Sequence, residues 1–278
     1  MNIRLFIIHC SLFIGCCMVA AQESERTRPV THATLFGIGA VNQLDSYLSP
    51  LNYTGPQFQF MHETLRTTHL ADSAISFQTL WHGNLAYTKN PTAKAKQVGG
   101  DLSYEMTWHY NIPVTQDLRI LVGPQAGASL GFLYNMRNGN NPAQLLASLH
   151  LSASAAAIYK FHIKGQALTA RYQLDVPLLG LMFSPEYGQS YYEIFSLGNG
   201  GHNICATHPF NAFSSRHFLS IDIPLRNITL RAGYLCDIRQ SHVNEIKHHS
   251  YTHAFMIGWV RHLRIVRPRR TTPEGFIL

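Results

Sequence analysis

Asp101-Leu102-Ser103-Tyr104-Glu105-Met106-Thr107-Trp108-His109-Tyr110-Asn111 is the stretch that decides the fold. In an extended chain successive side chains point to opposite faces. Leu102, Tyr104, Met106, Trp108 and Tyr110 therefore share one face, and Asp101, Ser103, Glu105, Thr107, His109 and Asn111 the other. One face is apolar and aromatic throughout, and the other is polar throughout. A strand with lipid on one side and a wet lumen on the other reads this way, and ~9–11 residues cross a bilayer on a tilt.

The same alternation recurs on both sides of this stretch. Residues 74–88 set Ile75, Phe77, Trp81, Leu85 and Tyr87 against Ser76, Gln78, His82, Asn84 and Thr88. Residues 118–137, 145–161, 167–176 and 228–239 repeat it, the last with Ile228, Leu230, Tyr234 and Ile238 opposing Thr229, Arg231, Asp237 and Arg239. Fainter versions fall at 33–41, 57–66, 214–223 and 251–262. Ten strands are expected in all. A soluble β-sandwich also alternates. Long apolar faces favour a barrel over it, as do aromatics near the expected strand ends (Tyr87, Tyr104, Tyr110, Tyr134, Tyr159 and Trp259), where interface girdles lie. The expected fold is all-β: a transmembrane antiparallel up-and-down β-barrel of ten strands, with twelve as the alternative. Its connections are expected to alternate. Shorter ones are read at 67–73, 112–117, 162–166 and 224–227, and longer outer ones at 42–56, 89–97, 177–213 and 240–250, with 138–143 a short member of the outer set.

The N-terminus fits export. Arg4 precedes an apolar run from Leu5 to Val19, and Val19-Ala20-Ala21 puts small residues before Gln22. That is the order of a signal peptide, here 1–21. A lipid-modified Cys16 or Cys17 is the rival reading, against which Phe13-Ile14-Gly15 makes a poor lipobox. Cleavage removes Cys10, Cys16 and Cys17 and leaves Cys205 and Cys236, whose pairing spacing alone does not decide. Residues 22–32 read as a polar lead, 33–264 as the barrel, and 265–278 as a basic tail. No later segment approaches 18 consecutive apolar residues, which excludes a helical membrane protein. The net charge of +7 is spread along the chain apart from that tail. It lacks the clustered basic face that nucleic acid requires.

The expected lumen holds both signs: Asp101, Glu105, Arg119, Lys160, Arg171, Asp175, Asp222, Arg231, Asp237 and Arg239. Buried charges must pair or stay hydrated, and a small barrel is nearly filled by its side chains. An ion-paired plug is therefore expected in place of a wide pore. The longest loop, 177–213, is rich in aromatics, which argues for order. A hairpin within it would make the count twelve.

Ser184-Pro185-Glu186-Tyr187-Gly188, Ser190-Tyr191-Tyr192-Glu193-Ile194-Phe195, Asp222-Ile223-Pro224-Leu225, Leu230-Arg231-Ala232-Gly233-Tyr234 and Val243-Asn244 carry a resemblance. Together they are similar to a Bacteroidetes outer-membrane β-barrel family defined as a domain of unknown function. The likeness covers most of the chain beyond the signal and is strongest over 171–262. It implies a barrel in the outer membrane of a Gram-negative bacterium, and it brings no catalytic residue with it.

Sixteen histidines raise the question of an enzyme. His202, His208, Ser190, Glu193 and Glu186 lie on outer segments, and no local motif ties them together as a nucleophile, base and orienting group. His248 and His249 point opposite ways on a strand, and His249 and His253 stand ~13 Å apart. No catalytic, cofactor or metal residue is therefore assigned. The reading reached is a structural or surface-binding outer-membrane barrel acting through its outer loops. The alternatives are a rim enzyme of lipid-hydrolase or protease class, and a narrow channel. The expected partners are outer-membrane lipid, lipopolysaccharide or a surface ligand at the loops, and barrel-assembly machinery, with no nucleic acid.

Overall fold

The computed structural model describes residues 28–265 other than residue 227. The signal peptide expected at 1–21 and nearly all of the basic tail lie outside the described residues. Strands β1 (Arg28–Asp45), β2 (Ser49–Thr67), β3 (Ile75–Lys89), β4 (Lys96–Pro113), β5 (Leu118–Asn135), β6 (Ala143–Ile163) and β7 (Gln166–Phe183) follow one another as antiparallel neighbours. After a short helix α1 (Tyr191–Phe195) and a four-residue strand β8 (Ile204–Thr207) come β9 (Ser214–Pro224), β10 (Thr229–Val243) and β11 (Ile246–Ile265). β7 pairs onward with β9, and β11 lies beside β1, so ten strands close an up-and-down barrel. β8 pairs with the upper end of β7 alone.

Each of the ten expected strands is present, but most run several residues further than their apolar alternation. β7 continues to Phe183 and β1 starts at Arg28, inside the expected polar lead. Beyond the apolar band the faces stop contrasting, yet pairing goes on through polar partners such as Asn42 opposite Thr54 and Asp45 opposite Ser49. The connections shrink accordingly. The β1–β2 link is residues 46–48 and the β10–β11 link is Asn244 and Glu245, both left-handed, so the expected excess of outer over inner loop length survives only at 184–213. That loop forms α1 and one short strand, so the ring has ten strands and the twelve-strand alternative falls.

The two faces sort as the alternation requires. Leu102, Leu130, Leu149 and Ile257 face outward and exposed, while Gln59, Gln78, Gln97 and Gln125 are fully buried inside. Tyr110 and Tyr159 sit toward one end of their strands, and Tyr87 and Tyr134 toward the other. Tyr104 departs from the expected girdle. It lies mid-strand on β4, its ring 4.6 Å from that of Trp81.

Part of the interior is apolar. Ala33, Leu35, Met61, Leu80, Phe218, Leu235, Ala254, Met256 and Val260 form one buried cluster on the wall from β9 round to β3. The β1–β11 seam is narrow because glycine lines it. A Cβ on Gly39 would stand 2.1 Å from the His253 carbonyl oxygen, and one on Gly258 would stand 1.9 Å from that of Thr34.

The sidedness makes a direct prediction. Leu230 pairs with Trp259 and Ile223 on the outward face, and Thr229 beside it faces inward. In a bilayer an outward arginine costs ~2–4 kcal/mol at the midplane and less near an interface. Residue 230 is one step from the start of β10. Leu230→Arg is therefore expected to lower the folded fraction toward the small end of that range, and Thr229→Arg to lower it less. The proportion of heat-modifiable barrel recovered in membranes measures both, and the reverse ranking would contradict the assigned faces.

Candidate functional site

The lumen is crossed by ion pairs at three levels. Nearest the β9–β10 turn, Glu63 on β2 accepts from Arg171 on β7 and from Arg231 on β10 (2.7 Å), and Arg231 also holds Asp222 (2.6 Å). Higher up, Arg216 on β9 donates to Glu105 on β4 and to Asp175 on β7 (2.8 Å). Above that, Arg239 on β10 pairs with Asp101 on β4 (3.0 Å) and with Asp237 (2.8 Å). β2 and β7 stand half a ring apart, as do β4 and β10. Glu63–Arg171 and Asp101–Arg239 therefore bridge opposite walls, and Arg216 reaches Glu105 four strands round, so the ladder crosses the lumen and does not merely line one wall. Gln78 reinforces the lowest level, donating to Glu63 (2.8 Å) and to Gln173 (3.1 Å).

Eight of the ten charged residues expected inside take part in this ladder. Arg119 and Lys160 do not. Both are exposed near the turn end of their strands, where an inward-phase position already meets solvent. Glu63 and Arg216, which anchor two of the three levels, escaped the sequence reading.

The outer mouth is covered. Tyr47, Leu48, Leu133 and Ile246 form a second buried cluster, against which Leu146 and Tyr191 pack. The Tyr47 hydroxyl donates to the Gln189 carbonyl (2.8 Å), and the Tyr191 hydroxyl accepts from the Leu145 N–H (2.6 Å). Burial at the mouth pushes the Tyr47 hydroxyl up to about 12, with Tyr191, Asp45 and Glu193 adding to it. Asn244 reaches from its turn to the carbonyls of Ser184 and His202, both at 3.0 Å, and so pins the long loop across the opening.

The residues considered for rim chemistry have other partners. Ser190 and Glu193 form a capping box at the start of α1, and the Ser190 N–H and hydroxyl hold the Glu193 carboxyl below its ordinary range. No hydrogen bond joins them to His202 or His208 among the described residues. His208 sits in the turn between β8 and β9, where its carbonyl accepts from Ala212 (2.8 Å). His248 lies 3.2 Å from Asp45, the His249 ring stacks on Tyr251, and His253 meets the Tyr234 hydroxyl at 2.7 Å. Cys205 and Cys236 are both free thiols.

One break interrupts the wall. β7 pairs with β9 only as far as Asp175 opposite Arg216, and with β8 only from Gly180 to Phe183. Val176 to Leu179 have neither neighbour on that side. A bulge in the β6–β7 ladder falls here, between Ser152 opposite Pro177 and Leu151 opposite Leu179, and it turns Leu178 and Leu179 both outward. Pro177 has no N–H to offer a ladder. Meanwhile Phe213 and Asn211 follow β10, accepting from Gln240 and His242 (both 2.8 Å), so β9 leaves β7 at this level. Behind the break lies a cavity of about 180 Å³ between the ion-pair ladder and the mouth cover.

A closed ten-strand antiparallel barrel with an ion-paired interior and an apolar exterior defines the class of this molecule. The chain belongs to the family described as protein of unknown function (DUF3316), whose model matches residues 5–270. A comparison with curated proteins gives no match. Among solved structures it is similar to the outer membrane protease OmpT from Escherichia coli, with 6% identity, 88% of this chain and 99% of that one covered, and a TM-score of 0.45. It is also similar to the translocator domain of the autotransporter NalP from Neisseria meningitidis (8% identity, 91% and 95% covered, TM-score 0.37). An outer membrane channel from Pseudomonas putida F1 matches at 7% identity, with 88% and 100% covered and a TM-score of 0.33.

Proposed function

We propose that this chain is an outer-membrane barrel of a Gram-negative bacterium, Bacteroidetes by the sequence resemblance, exported by a signal peptide at 1–21. In this reading it serves as a closed scaffold whose outer surface does the binding. The carrying observation is the lumen: ion pairs cross it at three levels, and an apolar cover lies over the mouth. An exterior of leucine and aromatic side chains around an interior that holds the buried charges suits lipid outside, since a chain folded in water would keep its charges on the outer face. Its partners in this reading are outer-membrane lipid, the assembly machinery, and lipopolysaccharide or another surface ligand at the loops. Narrow conduction loses support because any solute would have to part buried ion pairs. Rim catalysis loses support because, among the described residues, His202 and His208 share no hydrogen bond with Ser190 or Glu193, which are occupied in capping.

The test combines two measurements on one refolded preparation. Unboiled protein is expected to migrate differently from boiled protein on a detergent gel, since a closed barrel has no edge from which to unravel. The same protein is expected to give no steady conductance steps in a planar bilayer. Identical mobilities would overturn the membrane barrel, and stable ohmic steps would overturn the sealed lumen alone.

A further inference from the structure

The break between β7 and β9 lies against the side of the cavity, at a height where Leu149, Leu151 and Leu179 are exposed on the outer wall. On that side the cavity is lined by Pro177, Met182, Thr207, Ala212, Ser214 and Ser215. Leu149, which faces outward, also lines the cavity, and Leu151, Leu178, Leu179 and Phe213 stand exposed around it. An amphiphile in the surrounding lipid therefore meets leucines outside and a polar chamber within.

The chemistry of the chamber narrows the head group. Its cations are already matched: Arg216 is held by Glu105 and Asp175, and Arg239 by Asp101 and Asp237. A charged head would have to break one of these buried pairs to find a counter-charge. What remains is a set of hydroxyls and amides, from Ser103, Ser129, Ser148, Ser241, Gln125 and Gln240. Ser129 and Ser148 lie 2.7 Å apart and can turn toward an entering hydroxyl. His150 stands beside them over Gly127, where a Cβ would meet its Nε2 at 2.4 Å. The missing side chain gives the imidazole its place in the wall. At about 180 Å³ the chamber exceeds the ~150 Å³ that takes a benzene ring, so it suits one ring-sized group.

We infer that this chamber binds the neutral, hydroxyl-rich head of a single-chain amphiphile, such as one sugar ring, while the alkyl tail stays outside along Leu149, Leu151, Leu178 and Leu179. The inference rests on the membrane reading above and adds a ligand class to it. The observation behind it is a break in pairing between two strands, with an apolar wall on its outer side and a hydroxyl-lined chamber with no unmatched charge behind it.

The experiment uses the full refolded barrel and octyl glucoside carrying a diazirine at the head end of its chain. After illumination, adducts are expected on β6, β7 and the 208–215 segment. Unlabelled octyl glucoside is expected to compete and octyl sulfate to compete poorly. Ser148→Trp, which fills the chamber, and Ala212→Trp, which crowds the break from the turn, should each cut labelling roughly tenfold, a change of ~1.4 kcal/mol in binding. If Ser148→Trp fails to fold, Ala212→Trp decides. Labelling spread evenly round the outer wall overturns the site, and equal competition by octyl sulfate overturns the neutral head. Heat-modifiable mobility of the same samples reports separately on the barrel, so loss of labelling with mobility intact counts against this inference alone.

Discussion

Replacing Arg216 with methionine is expected to cost the barrel about 3–5 kcal/mol, because breaking a buried pair leaves a stranded charge. Here two are stranded. Glu105 and Asp175 both lose their cation, and their side chains are 4% and 5% exposed. Ser103, Ser154 and Gln173 donate to them but carry no charge. Against a total stability of roughly 5–15 kcal/mol for a typical folded protein, such a loss is severe. Urea titration in micelles, followed by gel mobility, gives the number. Adding Glu105→Gln and Asp175→Asn to the same chain should recover most of it, since neutral groups of similar shape tolerate burial far better. A single-variant loss under ~1 kcal/mol would place this pair in water, where ion pairs contribute that little.

Gly258→Val is the second large effect. The clash at this seam is with main chain: besides the Thr34 oxygen, a Cβ would sit 2.6 Å from the Leu35 Cα. No side-chain rotation relieves that. The two edges must part, or the strand must slip in register and turn its faces over. The expected cost is at the top of the ~1–3 kcal/mol range for overpacking, or above it. Gly139→Val is the matched control, as nothing lies within 4 Å of a Cβ there. Equal heat-modifiable fractions for the two variants would show that the seam has slack.

The interior explains which strands were legible in the sequence. The four faint candidates were 33–41, 57–66, 214–223 and 251–262. These supply Ala33, Leu35, Met61, Phe218, Ala254, Met256 and Val260 to the apolar cluster inside the barrel. With apolar residues on both faces their alternation fades. Glu63 and Arg216 sit on two of these strands, so the two missed charges were hidden for the same reason. On β4 and β7 the lumen is polar, and Asp101, Glu105, Arg171 and Asp175 stood out at once. The ladder's pairing was beyond reach because Glu63 and Arg171 are 108 positions apart, and only closure brings them together. The break was equally hidden. It depends on where one ladder stops and another begins, and local alternation is silent on that.

The glycine-lined seam also has a consequence in time. Thr31 and His262, 3.1 Å apart across it, are separated by 231 positions of chain. Joining such distant ends directly from an unfolded chain would cost about 5 kcal/mol of loop-closure entropy, so pairing of neighbouring strands is favoured ahead of the seam. Folds dominated by distant contacts are slow to form. Until β11 arrives, β1 presents an unpaired edge to whatever else is extended nearby. The opposite-wall ion pairs cannot form in an open sheet either, so Glu63 and Glu105 wait without their cations. Closing the seam therefore also completes the ladder: Arg216 with Asp175 and Arg231 with Asp222 join neighbouring strands and can pair in the open sheet, whereas Glu63 and Glu105 meet their arginines only when the ring shuts.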